Sequence, residues 1–176
     1  MNKRCDSMEQ WDVYDINGRS TNITKTRADI WEQHEYHLGI SLWLINKNAQ
    51  ILIQKRAATK RLFPNIWCNV CGSAMAGETS IAACVRETWE EIGVAVNECD
   101  LTFIGRIING NNIHDNYAIR NNFPIEQFVF PLDEVSELRW ASLDEIYELF
   151  HNKKFLMTNI SELNDLEKYM CDNNQS

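Results

Sequence analysis

No stretch of this chain approaches the ~20 consecutive apolar residues that a membrane-spanning helix needs. Residues 1–20 are mostly polar and hold no apolar run of the kind a secretory leader carries. Internal repeats, linkers and low-complexity tracts are also missing. One domain is therefore expected across all 176 residues, with loose ends at 1–10 and 172–176. Broad positive charge is lacking too. The formal net charge is −8, which argues against a nucleic-acid binder working through a basic surface. It does not argue against small phosphate ligands, which a metal and a few local basic residues can bring in. The cysteines, at positions 5, 68, 71, 84, 99 and 171, form no regular disulfide framework. A chain of this length builds a core without such staples, so a reducing cytoplasm with free thiols is the expected compartment.

What is present is ordinary for a globular protein, 44% apolar and 24% charged, apart from one stretch at residues 72–94. It reads GSAMAGETSIAACVRETWEEIGV. On a helix, Glu87, Glu90 and Glu91 are spaced i, i+3, i+4 and project from one face. Three crowded carboxylates repel one another, and a hard cation such as Mg²⁺ relieves that repulsion. A solvated acidic face is the other reading of the same pattern. Thr79 or Ser80 can cap the helix, with Glu78 beside its positive end, and Gly93 stops it. Ile81, Val85, Thr88 and Ile92 form a separate stripe for burial.

The flanking sequence predicts strands. Residues 11–16 alternate and end at Asn17-Gly18, a hairpin signal. Residues 19–35 read as loop, with a helical turn near 27–31. A strong strand at 36–45 turns at 46–49 and returns at 50–55. Residues 62–67 read as extended, because Pro64 disfavours helix at Phe63, and 68–71 as a short strand. Further strands are expected at 101–108, 113–119 and 137–141, with 128–132 extended. A capping box at Ser142–Glu145 opens a helix to about His151, and a last helix spans 160–170.

The 72–94 stretch resembles the Nudix box, G-x5-E-x7-R-E-U-x-E-E-x-G-U, where U is a bulky aliphatic. Gly72, Glu78, Arg86, Glu87, Glu90, Glu91, Gly93 and Val94 match it, and Thr88 at the first U departs from it. The resemblance implies an α/β fold, an αβα sandwich with a mixed central β-sheet. It also implies Mg²⁺-dependent (Mn²⁺ being the alternative) hydrolysis of a diphosphate bond in a nucleoside-diphosphate-linked or other organic diphosphate. By position, Glu87, Glu90 and Glu91 resemble the metal ligands, with the Gly72 carbonyl as a further one. Arg86 resembles the residue that orients a glutamate, and Glu78 a supporting acid. Cation-bound water is a stronger acid and a better-placed nucleophile, and a carboxylate can take its proton. Catalysis is thus assigned to Glu90, Glu87 and Arg86. The implied partner is a small-molecule diphosphate, with no nucleic acid and no membrane; a homodimer is compatible with the chain.

WDVYDINGR, EYHLGISLWL, Gln54-Lys55-Arg56, Lys60, Phe63-Pro64, Trp67 and Asp133-Glu134-Val135 ahead of Trp140 resemble the branch related to isopentenyl diphosphate isomerase. In that branch Arg56 and Lys60 sit where the diphosphate is contacted, whereas Lys55 and Arg61 read as solvated. An isomerase is therefore the alternative. Cys71 matches its catalytic cysteine and His37 one of its metal-binding histidines. Ser73 and Ile30, however, stand where histidines are expected, and Ile113 and Asp115 where a glutamate pair is expected. A second alternative is a non-catalytic nucleotide sensor, but sensors tend to lose box glutamates and this chain keeps them. Cys68-x-x-Cys71 alone is weak for zinc, and on a continuous strand the two would face opposite ways. His34, His114 and His151 read as surface or hydrogen-bonded residues. Trp67 and Trp140 read as packing anchors able to flank a ring. Glu126, Asp133 and Glu134 read as solvated acids.

Overall fold

The structure, a computed structural model, describes residues 9–172. Cys5 and most of the two expected loose ends lie outside the described residues. Gln10 opens a strand and Asp172 closes a helix, so these two residues are not loose. Among the described residues, nine strands and three α-helices follow in order: β1 (Gln10–Tyr14), β2 (Ser20–Thr26), β3 (His37–Ile45), β4 (Ile51–Arg56), β5 (Trp67–Cys68), β6 (Val70–Ser73), α1 (Ser80–Ile92), β7 (Thr102–Asn109), β8 (Asn112–Arg120), β9 (Val135–Ala141), α2 (Leu143–His151) and α3 (Ser161–Asp172). Among the described residues, no helix is long and apolar enough to cross a membrane.

The main sheet runs β5-β4-β3-β8-β7, with β6 also beside β3 and β9 beside β4. It is mixed: β3 and β8 are parallel and the other pairings antiparallel. β3 explains the layering. Leu38, Ile40, Leu42 and Leu44 join a core with Ala83, Cys84 and Ile92 of α1. Trp43 and Ile45 join a second core with Ile146 of α2 and Leu163, Leu166 and Met170 of α3. A strand covered on both faces reads as continuous apolar sequence, which is how this one reads. The result is the expected αβα sandwich.

Several expectations are corrected. Residues 19–35 are not all loop: Ser20–Thr26 is β2, antiparallel to β1 across the Asn17-Gly18 turn, where Gly18 has φ 73°. Most of β2 is exposed, so it carries no alternation of buried and polar positions to read. The turn at 27–29 is a tight one closed on Asp29 by the Thr26 N–H and hydroxyl, not a helical turn. Residues 62–65 are bent rather than extended, with Phe63 at φ 54° and Asn65 at φ 60°, and only Trp67 of the expected stretch is strand. Residues 128–132 lie outside any strand, held where the Val129 N–H donates to the Ile92 carbonyl. The expected β3–β4 hairpin pairs in the sheet at Ile45–Ile51 alone, because β6 takes the β3 edge from Gly39 to Leu42.

The ends of α1 are as the sequence indicates. The Thr79 side chain accepts from the Ala82 N–H, and Gly93 is left-handed at φ 68°. Thr88 and Ile92 are fully buried, Ile81 and Val85 pack half-buried, and Ala83 and Cys84 complete the stripe. Thr88, the departure from the box, donates its hydroxyl to the Cys84 carbonyl at 2.7 Å, so its burial leaves no unpaired polar atom. At Gly93 a side chain would meet both an unfavourable φ and the Val129 carbonyl. Gly93→Ala is therefore expected to lower stability by at least ~1 kcal/mol, read as a reduced denaturation midpoint in urea.

Candidate active site

Arg86 lies at the centre of an acidic cluster, and all five of its N–H donors have acceptors. Nε and Nη2 hold Glu78 in a two-pronged pair at 3.0 and 2.9 Å. Nη1 reaches Glu87 Oε1 at 2.7 Å and Glu90 Oε2 at 3.2 Å. The remaining Nη2 bond goes to the Ser73 carbonyl at 2.9 Å. The i+4 bond to Glu90 read from the sequence is present, but Glu78 and Glu87 are the closer partners. Glu78 also accepts from the Met75 N–H at 2.9 Å. The arginine thus ties the β6–α1 loop to the helix.

Glu87 packs directly on Gly72. A Cβ at position 72 would collide with the Glu87 carboxyl carbon, so glycine is needed here for close approach. Burial raises Glu87 to about 7 against the opposing pull of Arg86, with Glu90 and Glu9 adding to the rise. Glu91 turns the other way, into the sheet, and accepts from the Gln54 amide and from the Cys71 N–H at 3.1 Å. Burial holds its carboxyl well above the usual range, and Cys71 and Glu87 push the same way. Among the described residues, no three His, Cys, Asp or Glu side chains converge as a ready-made metal cage. The donor chemistry nonetheless fits a hard divalent cation, since carboxylates driven toward protonation by burial are the groups such an ion would stabilise as anions. Glu87, Glu90, Glu91 and the Gly72 carbonyl could hold it.

The NUDIX domain model matches residues 35–160. The chain belongs to the Nudix family. An uncharacterised Nudix hydrolase of Listeria monocytogenes is 29% identical over 150 residues, covering 85% of this chain and 89% of that protein. An isopentenyl-diphosphate Delta-isomerase of Citrobacter koseri is 31% identical over 145 residues, covering 77% and 78%. A crystal structure from Deinococcus radiodurans shares the fold with a TM-score of 0.73 at 18% identity, covering 90% of this chain and 98% of that one. The enzyme class is that of a Nudix-type hydrolase.

Outside the Nudix helix, the remaining candidates divide. Lys60 is ion-paired with Glu134, and Arg56 braces the Leu62 carbonyl at 3.3 and 3.2 Å. Arg56 also lies near enough to Cys71 for its charge to act on that thiol. Lys55 lies 5.7 Å over the Trp67 ring, which Arg139 covers at 4.8 Å. Trp67 is thus occupied by cations, and Trp140 meets the Phe128 edge at 6.2 Å. His37 stacks on Trp11 at 4.8 Å with its edge contact to Trp31 at 5.6 Å. Burial, with Arg27 assisting, lowers it to about 4. Asp115 is clamped by Arg106 at 2.6 and 2.8 Å, and Ile113 is core. β5 ends at Cys68 and β6 begins at Val70, so Cys68 and Cys71 are not held to opposite faces as on one continuous strand. Their thiols interact, and that contact, with burial, pushes Cys71 well up.

Three contributors were not read from the sequence. Glu9 acts on Glu87 from outside the box. Gln54 is named in the sequence only as part of Gln54-Lys55-Arg56, with no role of its own, and its polarity inside an apolar strand is the further signal. Glu162, 1% exposed, accepts from the Thr158 and Asn159 N–H groups at 2.7 and 3.2 Å. It lies beside Ser41, whose hydroxyl is 2.7 Å from His114 Nε2.

Two expected outcomes follow from this packing. Gly72→Ala pushes the flexible end of Glu87 off the backbone and out of its bond to Arg86, and should cost about 1 kcal/mol of stability, measured by urea unfolding. Burial raises Glu162 from 4.5 to about 7 and lowers His114 from 6.5 to about 4. The folded state therefore holds the Glu162 proton more tightly, and that stability is lost as pH rises through 7. His114 acts oppositely, adding stability as pH rises from 4 to 6.5. Glu162→Gln removes the Glu162 loss and leaves the His114 effect in place, so the variant's melting temperature relative to wild type should rise as pH goes from 4.5 to 7. A constant difference would refute the assignment.

Proposed function

We propose that this protein is a Mg²⁺-dependent hydrolase of a diphosphate bond in a nucleoside-diphosphate-linked or other small organic diphosphate. The observation that carries the reading is the Arg86 hub, which gathers Glu78, Glu87 and Glu90 around one guanidinium beside Gly72. Glu87, Glu90, Glu91 and the Gly72 carbonyl would hold the cation. When bound, it would neutralise diphosphate charge and lower the pKa of a coordinated water. The chain's own part is positional. Arg86 fixes the glutamate rotamers, and Gly72 lets Glu87 sit against the backbone. A carboxylate of this set accepts the water's proton. Arg56 and Lys60 supply positive charge for the diphosphate, with Lys60 exchanging Glu134 for a phosphate oxygen. Specificity lies in loops outside the box.

The isomerase reading draws on Cys71, which lies beside Glu91, and on relatives of that name. Several features support the hydrolase over it. Ile113 is core, Asp115 is committed to Arg106, and Ser73 and Ile30 stand where that branch has histidines. A panel of nucleotide sugars, dinucleotides, nucleoside triphosphates and isopentenyl diphosphate, assayed with Mg²⁺ for phosphate release and isomer formation, separates the readings. Hydrolysis that falls at least ~10²-fold in Glu90→Gln is the expected result. Isomer formation lost in Cys71→Ala, without hydrolysis, would favour the isomerase; binding without turnover would favour a sensor.

A further inference from the structure

Gln54 lies within β4, opposite Cys68 of β5 and Leu138 of β9. It is 2% exposed and its neighbours Leu52 and Ile53 are core. An apolar residue would pack there without any polar atom to satisfy. The amide instead donates through Nε2 twice, to the Asn69 carbonyl at 3.1 Å and to Glu91 Oε2. Both acceptors are oxygens, so the network sets the amide orientation: nitrogen toward Glu91. That orientation strands Oε1, a buried acceptor with no partner. A stranded buried acceptor costs ~1–3 kcal/mol, a cost that packing alone does not require.

The partner oxygen is informative as well. Gln54 and the Cys71 N–H converge on the same atom, Glu91 Oε2. Glu91 can therefore ligate a cation through Oε1 without giving up either bond. Outer hydrogen bonds of this kind hold ligand orientation at metal sites.

We propose that Gln54 is a positioning residue. It fixes the Glu91 carboxylate through Nε2, and its own Oε1 accepts a hydrogen bond from water that enters with the cation. The proposal rests on the reading of Glu91 as a cation ligand. It adds a residue outside the Nudix box, on a different element, to the metal-binding apparatus.

The test measures Mn²⁺ binding to metal-free protein by electron paramagnetic resonance, in wild type, Gln54→Met and Glu91→Gln. Methionine keeps the length of the side chain and removes both polar atoms. Gln54→Met should weaken Mn²⁺ binding by at least ~10-fold in protein whose circular dichroism matches that of wild type. Wild-type affinity in Gln54→Met, with weakened binding in Glu91→Gln, would overturn the role of Gln54 alone. Absence of Mn²⁺ binding in wild type would overturn the metal-ligand reading itself. Should Gln54→Met not fold, wild-type protein still decides. The side-chain amide resonances of Gln54 should shift on Mg²⁺ titration, and resonances that stay fixed while others move would overturn the proposal.

Discussion

Five N–H groups of one guanidinium meet three carboxylates and a backbone carbonyl, and the geometry of the glutamate helix depends on that match. Arg86 is largely withdrawn from water, with 18% of its side chain exposed, and Glu78 and Glu87 are similarly withdrawn at 16% and 15%. Charges so placed lose hydration, and a buried pair repays that loss only when its hydrogen bonds are complete. Completeness is what the arrangement supplies. Its net contribution to stability is thereby small compared with its contribution to order, since a guanidinium fork accepts few alternative geometries. A lysine at the same place would carry the charge and lose the register of the three acids.

The hub works only because the sheet brings the right backbone beneath it. β6 pairs with β3, setting Gly72 opposite Ile40 and Ser73 opposite Gly39. Ile40 is core on the α1 face, so the hydrophobic alternation of β3 fixes which side of β6 meets the helix. The missing side chain at Gly72 then admits Glu87, and the Ser73 carbonyl is left to Arg86. Packing of Cys84, Thr88 and Ile92 places the helix, and electrostatics then orders the groups along its flank.

The legible parts of the molecule are those with a local cause. α1 carries its own caps, α2 its capping box, and β3 enough apolar residues to declare itself. β2 was illegible because an exposed strand of Ser, Thr, Asn and Lys has no buried face to mark it. The bend at Phe63 and Asn65 was illegible because it follows from contacts with distant loops: the Asn65 N–H donates to Arg56, and the Ala57 N–H to Glu134. At the site, the box named the residues around Arg86, but spacing alone ranked Glu90 first among its partners. Arg86 follows Glu78 by eight positions of loop and helix, and no helical rule brings them together. Gln54 and Glu162 act across the sheet, where one-dimensional spacing carries no information.

Hydrolase and isomerase relatives match this chain about equally in identity, so the distinction has to come from what particular side chains are doing. Isomerisation needs groups that give and take protons at carbon. Cys71 and His37 match isomerase positions, but others are engaged elsewhere or chemically unsuited: Ile113 is core, Asp115 answers Arg106, and Ser73 offers only a hydroxyl in place of an imidazole. The acids of the helix, by contrast, are gathered and unevenly satisfied. Glu87 remains raised with Arg86 beside it, and Glu91 remains raised with two hydrogen bonds on one oxygen. Such residual strain is what a divalent cation relieves. Glu87 is raised even with Arg86 at 2.7 Å, and Glu91 is raised with amide donors alone, so each is a group that a cation from solution would stabilise as an anion.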